Sequence, residues 1–304
     1  MVKTPSNFTI AIVGPTAIGK TALSIKLAQH YNAEIISADS RQFYKEMTIG
    51  TAVPSTKELS EAKHHFIQNK SIKDTFTVGD FEREAISKIK ELHKDHTFTV
   101  MVGGSGLYVK AVTNGLDYFP EVDPNIRTEL NNRFETEGLH SLQQQLELLD
   151  VETYNTIAID NPKRVIRALE ICIGTDKTYS SFLTRPEKHR DFKTIAIGLN
   201  AERSIIYDRI NQRVDIMVAN GLLDEAKRLL PFKDLNALNT VGYKELFQYL
   251  EGHITLDFAI SEIKKNTRRF AKRQLTWFRK DESLKWFDYE TDLSTIIAYI
   301  DQQI

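Results

Sequence analysis

The sequence predicts an α/β fold: a parallel sheet built around a phosphate-binding loop, with helices on both faces and an inserted helical domain. Three observations support this prediction. Short β-branched and apolar runs alternate with helical segments in the first part of the chain, which is typical of a parallel sheet covered on both faces. A glycine-rich loop follows the first run. A helical stretch then interrupts the alternation, which resumes near residue 194.

The first strand, 9–13, leads into the octapeptide GPTAIGKT, and a helix follows at 21–30. The octapeptide fits G-x-x-x-x-G-K-[ST], in which backbone N–H groups and a helix N-terminus face phosphate oxygens. In this pattern the lysine adds a positive charge and the last hydroxyl binds a metal ion, here Mg²⁺ at Thr21. The pattern therefore predicts a polyphosphate site formed by Gly14, Pro15, Thr16, Ala17, Ile18, Gly19, Lys20 and Thr21.

Three further strands are predicted at 33–38, 98–102 and 194–199. Asp39 follows the first of these. Gly103-Gly104-Ser105-Gly106 follows the second, and a helix is predicted from Leu107. Ligands bind at the carboxyl ends of parallel strands, so Asp39 and both glycine loops should converge on one site. From its position alone, Asp39 is equally well interpreted as a general base or as a helix cap or metal contact. Taken alone, the second glycine loop is most simply a tight turn.

The middle of the chain is predicted to be a helical insertion. Residues 123–187 show helical periodicity, and Asp160-Asn161-Pro162 is a helix start with Pro162 near the first helical position. We expect a catalytic core of residues 1–119 and 194–304, and an inserted domain of residues 120–193. Residues 202–280 are again expected to be helical.

Composition limits the class of protein. Of 304 residues, 41% are hydrophobic and 27% charged, no run is long enough to span a membrane, and the N-terminus lacks a signal-peptide pattern. Cys172 is the single cysteine, which excludes an internal disulfide and a cysteine metal cluster. We therefore expect a cytoplasmic protein, which we take to be a monomer.

The net charge of −1 conceals a strongly basic segment at residues 261–280, in which Glu262 is the single acid. Phe270, Trp277 and Phe278 interleave with the basic residues, which recur at helical spacing. A charged stripe is usually a solvated helix face, but this combination favours RNA binding over that explanation. The basic residues are Lys264, Lys265, Arg268, Arg269, Lys272, Arg273, Arg279 and Lys280.

The chain resembles the tRNA dimethylallyltransferase (tRNA isopentenyltransferase) family, bacterial type, over nearly its whole length. ISADS followed by the Y-x-x-M-x-I-G-T run is specific to that family, which a shared phosphate loop alone is not. The matching segments are GPTAIGKT (14–21), ISADSRQFYKEMTIGTAVP (36–54), HHFI (64–67), VGDFEREA (78–85), VGGSGLYVKA (102–111), NPKRVIRALE (161–170), VGYKE (241–245) and KRQLTWFR (272–279).

The resemblance implies transfer of a dimethylallyl group from dimethylallyl diphosphate to N6 of adenosine-37 in the anticodon stem-loop of tRNA, with Mg²⁺. Asp39 then resembles the general base, and the phosphate loop would hold the diphosphate. Lys20, Ser105 and Arg213 would stabilise the leaving group. Ser105 stands where many members have threonine. Thr240 and Lys244 are further mild departures from the family pattern.

The resemblance also implies a set of tRNA-contacting segments. These are Asp39, Ser40, Arg41 and Gln42; Ser105; Arg127; Lys163, Arg164, Val165, Ile166 and Arg167; Asn239, Thr240, Val241, Gly242, Tyr243 and Lys244; and Lys272, Arg273, Gln274, Leu275, Thr276, Trp277, Phe278 and Arg279.

Three alternatives share parts of this pattern. An isopentenyltransferase acting on free adenine nucleotides shares the donor site but needs neither the insertion nor the basic helix. A small-molecule kinase would use the phosphate loop for ATP, and ATP consumption without a prenyl donor would reveal it. A non-catalytic RNA-binding protein with a vestigial nucleotide site does not need an intact Lys20, Thr21 and Asp39.

Overall fold

The computed structural model describes residues 7–183 and 189–304 of the chain. The chain divides into two compact units. We call Met1–Asn114 together with His189–Ile304 the core unit, and Gly115–Lys188 the insertion unit. Within the described ranges, no helix combines the length and apolar character that crossing a bilayer requires.

The core unit contains one sheet of six parallel strands in the order β3-β2-β4-β1-β5-β6, which confirms the predicted fold class. The two strands at the sheet edges escaped prediction because they are short and carry polar residues. The strands are β1 (Phe8–Val13), β2 (Ile35–Ser37), β3 (His64–His65), β4 (Phe98–Val102), β5 (Lys193–Asn200) and β6 (Lys285–Asp288).

Helices cover both faces of this sheet and form the regular structure of the insertion unit over its described residues, 115–183. In chain order they are α1 (Lys20–His30), α2 (Thr56–Glu61), α3 (Val78–Leu92), α4 (Gly106–Thr113), α5 (Pro124–Glu137), α6 (Leu139–Leu149), α7 (Val151–Thr156), α8 (Pro162–Thr175), α9 (Arg203–Ala219), α10 (Leu222–Leu229), α11 (Tyr243–Leu250), α12 (Leu256–Phe278) and α13 (Leu293–Asp301).

The central strand β1 is buried along its whole length because both of its faces are covered. Ile10 and Ile12 pack in one hydrophobic cluster with Leu27 of α1. Ala11 and Val13 point to the opposite face and pack in a second cluster with Phe81 of α3. This two-sided burial explains why the strand reads as a continuous apolar run.

The insertion unit has its own core, formed by leucines of α5 and α6 against the apolar face of α8. Leu130, Leu142 and Leu169 are buried there, and Cys172 is a buried free thiol in the same cluster. Asn161 begins α8 as predicted: its side chain accepts a hydrogen bond from the Lys163 amide, and Pro162 occupies the first turn.

A third cluster, formed by α10, α11 and part of α12, fixes a loop beside the sheet. Glu225 of α10 is only 2% exposed. Its carboxylate accepts hydrogen bonds from the backbone amides of Thr48, Ile49 and Gly50 at 2.9–3.1 Å, and from the Tyr243 hydroxyl at 2.7 Å. One buried side chain therefore satisfies the donors of a loop that has no regular structure of its own.

We expect Glu225→Ala to lower the free energy of unfolding by about 3 kcal/mol, because it leaves three backbone donors and a buried hydroxyl unpaired. Urea denaturation followed by circular dichroism measures this change. Asp224→Ala is the matched control, since Asp224 is the preceding residue of α10 and its side chain is exposed. The control should change stability by less than about 0.5 kcal/mol. Equal stabilities for the two variants would contradict the role given to Glu225.

Candidate active site

Three loops that follow strands meet at the carboxyl edge of the sheet, as the sequence predicted. They are the phosphate loop (14–21) after β1, the aspartate loop (39–42) after β2 and the second glycine loop (103–106) after β4. The amide of Ala38 donates to the Val102 carbonyl at 2.7 Å, and the Gly103 amide donates to the Ile12 carbonyl at 3.2 Å. A Cβ at Gly103 would lie 2.4 Å from the Ala38 carbonyl oxygen, so this approach requires glycine.

These loops line one cavity of about 960 Å³. Residues 50–54 form part of its wall, so the segment that Glu225 fixes also shapes the site. Further walls come from α9, from residues 239–242, 244 and 245, and from one face of α12. The cavity is large enough to hold a diphosphate ester together with part of a second substrate.

The phosphate loop is held in a conformation that its sequence would not adopt freely. Ala17 has a left-handed backbone, with φ of 65°. A non-glycine residue in this region costs about 1 kcal/mol, so neighbouring contacts must maintain it. Arg209 of α9 supplies one such contact, donating from Nε to the Ala17 carbonyl at 2.8 Å.

Positive charge is concentrated on the floor of the cavity. Lys20 donates from Nζ to the Pro15 carbonyl at 2.8 Å, and Arg213 donates from Nη1 to the Thr16 hydroxyl at 3.2 Å. Burial, and then the neighbouring Arg213, lower the pKa of Lys20 to about 7, against an opposing effect of Asp39. Burial likewise lowers the pKa of Arg213. An anion bound here would relieve this repulsion, so the floor is suited to phosphate.

Asp39 and Ser105 line the same cavity as these cations. Asp39 Oδ1 accepts a hydrogen bond from the Arg41 amide at 3.0 Å, which is the cap-like contact that its position allowed. Its charge also acts on Lys20 and Arg213. Ser105 Oγ accepts from the Ser40 amide and donates to the Ser40 hydroxyl, both at 3.1 Å. The aspartate loop and the second glycine loop are thus joined beside the carboxylate.

The side chains of Arg41 and Gln42 hold neighbouring loops together. Arg41 donates to the carbonyls of Asn236 and Ala237 at 2.9 Å. Gln42 donates to the Ala52 carbonyl at 2.9 Å and accepts from the Ser37 hydroxyl at 3.3 Å. Both side chains therefore hydrogen-bond within the walls of the cavity, and only their exposed parts remain available to a substrate.

Helix α12 crosses the site with two different faces. On its inner face Gln274 bonds to both glycine loops. Trp277 lies at the edge of this face, where it packs over Gly106 and lines both the cavity and the outer groove. On its outer face a groove of about 420 Å³ has a basic and aromatic lining. This groove has the charge and the stacking surface that suit a nucleic acid strand. Its lining residues are Arg269, Lys272, Arg273, Thr276, Trp277 and Lys280.

The structure divides the residues expected to contact tRNA into exposed and buried side chains. Exposed ones include Arg127, Lys163, Arg164, Asn239, Lys244, Lys272, Arg273, Thr276, Trp277 and Arg279. The partly exposed ones are Asp39, Ser40, Arg41, Gln42, Ser105, Arg167, Thr240, Val241 and Leu275. The side chains of Val165, Ile166, Tyr243, Gln274 and Phe278 are buried. Apolar packing or internal hydrogen bonds already occupy these five side chains, and contact of their segments with tRNA stays a prediction.

In the insertion unit, two of the expected RNA contacts share one buried acid. Glu170 accepts hydrogen bonds from Arg127 at 2.6 and 3.0 Å and from Arg167 at 2.8 Å. Burial alone would raise the pKa of Glu170, but the hydrogen bonds from the two arginines hold it below its usual value. The guanidinium of Arg167 also lies 5.4 Å from the centre of the Phe119 ring. Both arginines are therefore held in place while remaining partly exposed.

Sequence reasoning missed the part that Arg209 and Glu225 play in shaping the site. It also missed that Gln274 bonds to the two glycine loops. Arg209 lies one helical turn before Arg213, so helical spacing offered a signal for it. The other two act on loops far away in sequence, which no local pattern reports.

For metal binding, the described part of the chain contains no cluster of three or more His, Cys, Asp or Glu side chains. Thr21, in the first turn of α1, does line the cavity.

The chain matches a family model described as IPP transferase over residues 42–281. The tRNA dimethylallyltransferase of Christiangramia forsetii is 61% identical to it, covering 98% of this chain and 99% of the relative. The tRNA dimethylallyltransferase of Flavobacterium johnsoniae is 60% identical, covering 97% of each chain.

Two solved structures are similar over nearly the whole chain. The full-length tRNA isopentenylpyrophosphate transferase of Bacillus halodurans is 40% identical, with a TM-score of 0.72, covering 97% of this chain and 95% of that one. A eukaryotic dimethylallyltransferase described as acting on tRNA is 26% identical, with a TM-score of 0.79, covering 98% of this chain and 77% of that one.

The lowered pKa of Lys20 predicts that anion binding depends on pH. A bound diphosphate favours the ammonium form and raises the pKa from about 7, so binding takes up a proton above that pH. The Kd of methyl diphosphate should rise by up to about tenfold per pH unit between about pH 7 and pH 9. Below pH 7 Lys20 is already protonated in the free protein, so its titration should add little further change in Kd. Calorimetric titration over this range measures the effect. Lys20→Met should bind weakly without this slope, and a flat wild-type profile would contradict the assignment.

Proposed function

The chain belongs to the IPP transferase family, and we propose that its cavity transfers a dimethylallyl group from dimethylallyl diphosphate to N6 of adenosine-37 in the anticodon stem-loop of tRNA. The protein is a tRNA dimethylallyltransferase by its full-length similarity to enzymes of that name. The observation that best supports the detailed proposal is the convergence of a cationic phosphate loop, a carboxylate and a basic aromatic helix on one cavity.

The donor half of the reaction uses the cations on the cavity floor. The allylic C–O bond breaks, leaving positive charge on carbon and additional negative charge on the diphosphate. Lys20, Arg213 and the loop amides lie where they would stabilise that negative charge, and the Ser105 hydroxyl would add a hydrogen bond. A loop usually associated with nucleotides thus holds a leaving group.

The site residues fit a magnesium ion bound together with the donor. The Thr21 hydroxyl lines the cavity at the start of α1, next to Lys20, and diphosphate oxygens would supply the remaining hard ligands. The bound ion would neutralise charge on the departing diphosphate.

The acceptor half needs a base, since the N6 amino group of adenine is a poor nucleophile. As the new C–N bond forms, N6 loses a proton, which the Asp39 carboxylate would accept. Asp39 is held by the Arg41 amide on a cavity wall, which supports this role. The atoms then balance: the prenyl carbon moves from oxygen to nitrogen, diphosphate leaves and Asp39 takes the proton.

The outer groove of α12 would bind the RNA strand, and adenosine would leave the loop stack to enter the cavity. Unstacking a base from a single-stranded loop costs little compared with flipping one from a duplex. The exposed Lys163 and Arg164 of α8 remain proposed contacts in the insertion unit. An enzyme acting on a free adenine nucleotide, or an ATP-dependent kinase, would have no use for the groove.

A tRNA substrate favours the cytoplasm as the place of action, and we propose a monomer.

Replacing Asp39 tests the proposed base. Asp39→Asn keeps an oxygen for the Arg41 amide but cannot accept the proton, so the single-turnover rate should fall by roughly a hundredfold or more. The assay uses an anticodon stem-loop RNA and dimethylallyl diphosphate, with N6-dimethylallyladenosine identified by mass. RNA affinity should stay near the wild-type value.

The matched control is Glu58→Gln, which makes the same charge change at another residue of the cavity wall. Glu58 caps α2 through Ser55, so we expect this variant to retain most of the activity. Near-normal turnover of Asp39→Asn would contradict the base assignment. Formation of ADP from ATP without a prenyl donor would instead support a kinase.

Neutralising two basic residues of the groove together with the neighbouring Arg279 tests RNA binding. The triple variant Lys272→Ala, Arg273→Ala and Arg279→Ala should bind the stem-loop more weakly. Each lost phosphate contact should also reduce the slope of log K against log salt concentration by about one unit. Fluorescence anisotropy over a salt series measures both effects, and circular dichroism confirms folding.

A second triple variant controls for net charge alone. Lys26, Lys57 and Lys94 are exposed on the core unit, and none of them lines the cavity or the groove. Their replacement by alanine should leave the salt slope nearly unchanged. If the two triple variants behave alike, the groove makes no specific contribution to RNA binding.

A further inference from the structure

Gln274 belongs to a segment expected to contact tRNA, yet its side chain points into the protein. It is 6% exposed, and it lines the cavity but not the basic groove. Its Oε1 accepts a hydrogen bond from the Thr16 amide, and its Nε2 donates to the Gly104 carbonyl, both at 2.9 Å. One partner can only donate and the other can only accept, so a single orientation of the Gln274 amide satisfies both.

On the phosphate-loop side, Gln274 acts next to the strained residue. The Thr16 amide donates to Gln274, and the Thr16 hydroxyl accepts from Arg213. Thr16 immediately precedes Ala17, whose left-handed conformation needs external support. Gln274 therefore fixes the path by which the loop enters its turn. Because the Thr16 amide already donates to Gln274, it is not available to a diphosphate.

On the other side, Gln274 reaches the loop that carries Ser105. A Cβ at Gly104 would lie 2.2 Å from Gln274 Nε2, so the contact depends on glycine. Trp277 lies one turn further along α12 and packs so closely on Gly106 that a Cβ there would meet its ring at 2.2 Å. The inner face of α12 thus follows the second glycine loop on both sides of Ser105.

We propose that Gln274 is a positioning residue for the diphosphate leaving group and not a tRNA contact. Its one amide sets the spacing between the phosphate loop and the loop of Ser105, so that donors from both loops face the same diphosphate. The inference rests on the proposed function, since its consequence is measured on the donor.

The test compares two replacements of nearly equal size. Gln274→Met removes both hydrogen bonds. Gln274→Glu keeps an acceptor for the Thr16 amide but places a carboxylate oxygen against the Gly104 carbonyl. Both should bind inorganic diphosphate with Mg²⁺ roughly tenfold more weakly by calorimetry and lower kcat, because two buried hydrogen bonds position the loops. The Kd of the anticodon stem-loop and the KM for RNA should stay within about twofold of wild type, because Gln274 does not line the groove.

Lys272→Met is the matched control, because Lys272 lies two residues earlier on α12 and lines the outer groove. It should weaken stem-loop binding and leave diphosphate affinity unchanged, which is the opposite pattern. Wild-type diphosphate affinity and kcat in both Gln274 variants would overturn the inference, as would a loss confined to RNA binding. So would equal losses in both affinities that follow a fall in melting temperature. If the wild-type protein itself neither binds diphosphate nor transfers the prenyl group, the proposed function fails first.

Discussion

Two cations held side by side at the carboxyl edge of the sheet are the constraint on which the rest of the site depends. Lys20 and Arg213 repel each other, and burial removes the water that would otherwise stabilise them. Asp39 offsets the repulsion only in part. The folded chain therefore holds two repelling positive charges, and a bound diphosphate would neutralise them. The packed sheet beneath, covered on both faces, supplies the stability that makes this arrangement tolerable.

Many polar side chains near the cavity bond to the backbone and not to each other. Arg209 holds the Ala17 carbonyl, Gln42 the Ala52 carbonyl and Glu225 the amides of residues 48–50. Loops that carry chemistry have few backbone partners of their own, so polar side chains from distant helices satisfy them. The walls of the cavity are consequently fixed by residues that need not touch a substrate. Arg209 and Gln42 still line it, whereas Glu225 acts entirely from outside.

Helix α12 joins the two halves of the proposed reaction in one element. Its outer face carries the basic residues of the groove, and its inner face carries Gln274 against the glycine loops. Trp277 lies at the edge between these faces, where it packs on Gly106 and also lines the groove. A helix presents different residues to its two sides at fixed spacing, so RNA on one side and donor on the other would be held in a constant relation. The family relationship identifies the reaction, and this geometry gives a physical account of how one chain would accommodate both proposed substrates.

The sequence by itself determined the features that have a local signature. The spacing of GPTAIGKT, the apolar run at 98–102, the cap at Asn161 and the basic residues of α12 each follow from neighbours along the chain. Tertiary structure alone decided the short edge strands β3 and β6, the burial of Tyr243 and Phe278, and the roles of Glu225 and Gln274. Those outcomes depend on contacts between residues far apart in sequence: Gln274 bonds to Thr16 across 258 positions, and only the folded chain brings such groups together.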